Sequence, residues 1–117
     1  MTTPGTDLSK YINRLDIILQ VSEQVIKDFD MFGLEVKFSG NGYMAYEELF
    51  DQVYPHLEKL LHSNQTKFLA ILYRIDLSEE QVRKAVNENT SEPFSAVVAD
   101  LILRRELQKV VLRNSFK

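Results

Sequence analysis

Between Leu8 and Phe32 the apolar side chains Leu8, Tyr11, Leu15, Ile18, Val25, Phe29 and Phe32 recur at steps of three and four, interrupted only at Ser22. A second row, Ile12, Leu19 and Ile26, runs beside them at seven-residue intervals. On a helix this pattern makes one broad apolar face; on a strand the same residues would fall on both faces. At about 1.5 Å per residue the rod would be roughly 37 Å long, as much as a small domain measures across. The fold expected is therefore all-α, a bundle of four main helices plus one short helix, packed around this long N-terminal helix.

With 117 residues, a single domain spanning 1–117 is the natural count, residues 1–7 forming a disordered lead and Thr6 or Asp7 capping the first helix. The longest apolar run, Phe68 to Tyr73, is far too short to cross a bilayer. The N-terminus has no basic segment followed by an apolar block, so no export signal is read. Cysteine is absent, which excludes disulfides and thiolate chemistry and fits a cytoplasmic protein. The charge is uneven. Arg104, Arg105, Lys109, Arg113 and Lys117 face the single Glu106 in the last seventeen residues, while the whole chain carries −3. An acidic body with a basic C-terminal helix results.

Gly33 is placed to end the first helix in the left-handed conformation. Leu34 to Phe38 then alternates apolar and polar before the turn Ser39-Gly40-Asn41-Gly42. No second segment alternates, so an extended connector on the core is expected; the other reading pairs residues 34–38 with their own copy in a dimer. A second helix is predicted over 43–62, kinked but not ended by Pro55. A third, around Phe68 to Ile75, is apolar nearly all round and expected to be buried on more than one side. Ser78-Glu79-Glu80-Gln81 has the capping-box pattern and opens a short helix to about Glu88. Pro93 opens the last helix, predicted to run to about Asn114. On it Phe94, Val97, Val98, Leu101 and Ile102 cluster on one side, and Leu103, Leu107, Val110 and Val111 on nearly the opposite one. Either that helix bends into the bundle or its C-terminal half meets another chain.

Motifs of catalysis are missing. There is no Gly-x-Ser-x-Gly, no cysteine and no Gly-Lys-Ser/Thr after the glycine turn, so no catalytic residue and no cofactor is assigned. Glu47, Asp51, Glu58 and His62 share one face of the second helix and could hold a metal or ligand. The paired Glu-x-x-His triplets of di-iron bundles are missing, however, and a solvated Glu58–His62 pair is the plainer reading. Residues 66–88 have the length of a helix-turn-helix, but Glu79 and Glu80 would meet phosphates with the wrong charge.

The stretches Phe68 to Asp76 and Leu103 to Val111 resemble small uncharacterised bacterial helical proteins that carry a Leu-Tyr-Arg-Ile-Asp block and a Glu-Leu-Gln-Lys block. The resemblance implies a helical fold and brings no activity, cofactor or site residue.

The function expected is a non-enzymatic helical protein–protein interaction module, self-associating as a homodimer through the last helix. Leu103, Leu107, Val110 and Val111 would make its apolar contacts, with Arg104 and Arg113 as a charged rim. Arg105 and Lys109 could also meet Glu47 or Asp51 of a second copy. One alternative is nucleic-acid or anionic-surface binding through Arg105, Lys109 and Arg113. The other is the carboxylate and histidine bundle site.

Overall fold

The computed structural model describes residues 14–115. Five α-helices follow one another: α1 Leu15–Asp30, α2 Ala45–Ser63, α3 Gln65–Ile75, α4 Glu79–Glu88 and α5 Phe94–Ser115, with a 3-10 turn at Gly42–Met44 leading into α2. Among the described residues there is no strand, and no helix is long and apolar enough to cross a membrane. The Thr6 or Asp7 cap and the rungs Leu8 to Ile12 lie outside the described residues. From Leu15 the first helix is unbroken to Asp30.

Local signals end and start these helices. After α1, Leu34 N donates to Phe29 O (3.1 Å) and Gly33 N to Asp30 O (3.0 Å). With Gly33 at φ +74° this is a Schellman motif, which uses carbonyls that the helix end leaves without partners. The same pair of bonds closes α3, from Leu77 N to Leu72 O and Asp76 N to Tyr73 O. There the left-handed position is held by Asp76 at φ +68°, where glycine would carry no side-chain penalty. Asn64 caps α3 by accepting from Lys67 N, and Lys67 Nζ donates to Phe32 O (2.8 Å), a cation at the end of α1. Ser78 and Gln81 form the full capping box of α4. α2 is continuous through Pro55.

Ser22, the gap in the apolar ladder of α1, faces the core and donates to Ile18 O (2.9 Å), so its hydroxyl is satisfied within the helix. Gly42 lets Leu15 approach: a Cβ there would stand 2.9 Å from Leu15 Cδ1.

The connector between α1 and α2 is extended, as its alternation predicts, and is held by side chains rather than by a partner strand. Gln52 takes both backbone groups of Lys37, accepting from its N–H (2.8 Å) and donating to its carbonyl (2.7 Å). His56 Nε2 donates to Glu35 O (2.8 Å), and Glu48 accepts from both the N–H and the hydroxyl of Ser39. Three α2 residues four apart thus serve three connector residues two apart, running in opposite directions. Val36 is thereby held in the core, with Leu34 packed against it.

One core joins all five helices. Its hub is α5, which packs against each of the other four, whereas α1 forms one wall. The reason is the change of apolar face along α5. Val98 and Ile102 fill the interior near one end and Val110 and Val111 near the other, so opposite sides of the helix are buried along its length.

Candidate functional site

The apolar contact residues expected on the last helix are not presented to a second chain. Leu103 is 5% exposed, Val110 and Val111 are fully buried, and Leu107 packs against the core. Neighbouring helices cover both faces of α5, so the expected change of partner at Ile102–Leu103 takes place within one chain. The rim residues do reach the surface. Arg104 Nε donates to Asp100 Oδ2 (2.8 Å), and the Tyr46 hydroxyl donates to Asp100 Oδ1. Burial and then the Asp100 carboxylate push the Tyr46 hydroxyl far above its usual range.

The proposed anion-binding cations are likewise engaged. Arg105 donates to Asp76 (2.9 Å) and Gln108 (2.6 Å), Lys109 lies 3.3 Å from Glu106 Oε1, and Arg113 donates to Gln24 Oε1 (3.4 Å). These cations tie α5 to α1 and to the end of α3 and do not form an open basic face. Glu47 and Asp51 are exposed, and Glu58 pairs with His62 at 3.0 Å. The Ser95 hydroxyl and the His62 imidazole hold the Glu58 carboxyl below its usual value. Among the described residues no group of three His, Asp or Glu could hold a metal ion. At the turn before α2, Ser39 gives its N–H and hydroxyl to the Glu48 carboxylate of the same chain.

Two features stand out. The first is a groove between α3, α4 and the start of α5. Phe68, Leu69 and Leu72 form one wall, Val82 and Val86 the other, and Phe94 closes the end with its ring 6.2 Å from Phe68. Its volume is about 310 Å³, with Glu79, Arg83 and Asn87 along the rim. α3 is buried at Phe68, Ile71, Leu72 and Ile75, but Leu69 is 48% and Tyr73 88% exposed, one turn apart on an outward stripe. α3 packs on α1, α2 and α5, and α4 stands off from it across the groove, which leaves this stripe open.

The second is a polar seam inside the bundle. Asp28 of α1 is 1% and Glu106 of α5 0% exposed, and the two carboxyls face each other. Asp28 Oδ1 accepts from Gln24 Nε2 (3.0 Å) and from Arg74 Nε (3.2 Å) of α3. Arg74 thus finds its acid in Asp28, while Asp76 serves Arg105. Burial raises the Glu106 carboxyl first, the facing Asp28 adds to this, and the nearby Lys109 opposes it; the outcome is about 8. Sequence spacing carried a sign of this pair. Asp28 stands three residues after Val25 and Glu106 three after Leu103 and four before Val110, which are core positions.

No protein-family model, curated protein or solved structure matches this chain.

Proposed function

We propose that this protein is a non-enzymatic, self-associating helical module whose contact face is the α3–α4–α5 groove. The observation that carries this reading is the open stripe of Leu69 and Tyr73 beside an apolar cleft. Contiguous apolar surface of this kind, rimmed by polar groups, marks interaction sites. A second copy suits it because α3 supplies both parts: Phe68 and Leu72 line the cleft, and Leu69 projects at its mouth. A two-fold contact needs a surface complementary to itself. The rim meets that need in charge, since Glu79 and Arg83 sit one turn apart on α4 and neither enters an ion pair among the described residues. Across a two-fold axis each meets the other's opposite.

Solution mass measured over a concentration series tests this. Arg83→Glu places four like charges along the rim. If each of the two symmetric contacts is worth about 0.5 kcal/mol, losing both weakens the dimer at least fivefold. Glu79→Arg combined with Arg83→Glu restores it, and Leu69→Asp abolishes it. A chain that stays monomeric at millimolar concentration, or a dimer indifferent to all three variants, refutes the proposal.

A further inference from the structure

The seam between α1 and α5 leaves three buried carboxyl oxygens without a hydrogen-bond partner when no proton is placed between them: Asp28 Oδ2, Glu106 Oε1 and Glu106 Oε2. Buried polar atoms in folded proteins are nearly always paired. One added proton meets most of that requirement. A Glu106 hydroxyl donating to Asp28 Oδ2 satisfies one oxygen on each side, and Lys109 Nζ, 3.3 Å from Glu106 Oε1, attends the other. No metal ion is called for, because Arg74 and Lys109 already supply positive charge at the two ends. The groups around the pair are Gln24 from α1, Arg74 from α3 and Lys109 from α5 itself. Arg105 points to Asp76, and no ionisable group of α2 or α4 pairs with either acid.

We propose that this seam is a proton-operated clasp: Glu106 holds its proton while α1 and the C-terminal half of α5 are together, and releases it when they part. On release the O–H bond of Glu106 breaks, the proton goes to solvent, and two carboxylates remain. Closed, these two anions would face each other out of water; open, each is hydrated. Parting the helices also breaks the outer links Arg113–Gln24 and Asn114–Gln20, so the segment from about Leu103 onward is the part that moves. Opening therefore becomes easier as pH rises, and the clasp gives the bundle a pH-dependent end.

Amide hydrogen exchange of residues 103–115 tests this, with each rate divided by its intrinsic value. In the native chain the opening constant should rise up to tenfold per pH unit between about pH 5.5 and 7.5, because opening releases one proton. Glu106→Gln keeps a donor toward Asp28 and cannot ionise, so its opening constant should stay flat. Equal slopes in both proteins, or no slope in the native chain, overturn the proposal. Should the glutamine variant not fold, Asp28→Asn removes the facing charge but not the burial of Glu106, so the rise should persist and end at a lower pH than in the native chain; an unchanged window overturns the proposal. The infrared spectrum of the native chain at about pH 6.5 gives a check free of substitution. A protonated-carboxyl band that is lost on Glu106→Gln, and that disappears at lower pH in Asp28→Asn than in the native chain, supports the clasp; its absence from the native chain overturns it.

Discussion

Replacing Glu106 by Gln should remove a large part of the pH dependence of folding stability between about pH 5 and pH 8. In the folded chain the Glu106 carboxyl is raised from 4.5 to about 8. The sign follows directly. A group raised on folding stabilises the native state fully below its unfolded value and loses that contribution as pH climbs to the folded value. Each pH unit is worth up to about 1.4 kcal/mol, so the three units from about pH 5 to pH 8 set a ceiling of about 4 kcal/mol. For a domain of this size that is a large fraction of total stability. Lys109 lies partly in solvent, and water reaching the seam would lower the figure. Urea unfolding at each pH unit, read as the difference between the native chain and Glu106→Gln, cancels the other titrating groups. The two proteins should be nearly equal at pH 5, with the glutamine variant ahead by several kcal/mol at pH 8. Parallel curves across the window would refute the reasoning, and so would a glutamine variant that falls behind at pH 8.

Two further outcomes separate core from surface. Leu103→Ala should cost about 2–5 kcal/mol in urea unfolding while leaving the solution mass unchanged, because this side chain fills the interior of its own chain. Gln52→Ala removes both bonds to Lys37 and should cost about 1–2 kcal/mol, with faster proteolysis confined to residues 34–39.

What could be read in advance was local. The end of α1 at Gly33 and the start of α4 at Ser78 depend on residues within one turn of each other, and both stand where their sequences place them. The face change along α5 was equally legible as a pattern, but not its meaning. Whether Val110 and Val111 meet a neighbour within the chain or outside it depends on where α1 and α2 travel, and no local spacing reports that. On α3 an apolar run nearly all round suggested burial on more than one side but did not say which side stays open, and Leu69 and Tyr73 stand in solvent. Glu106 hid in plain view among the basic residues of α5, where charge counting marks it as a surface group. Its spacing from Leu103 and Val110 pointed inward instead.

The side-chain rungs from α2 to the connector work as a vernier. Four helical residues advance about 6.0 Å, while two extended residues advance about 6.6 Å. Each rung therefore slips by roughly 0.6 Å against its predecessor. Over the two intervals from His56 to Glu48 the error stays near 1.2 Å, which side-chain torsions can absorb; several more intervals would stretch the bonds past useful length. The scale is thus short by geometry, and it is also intolerant of odd steps. One residue inserted between Glu35 and Lys37 would turn Val36 or its replacement toward water, whereas two would preserve the alternation and lengthen only the loop.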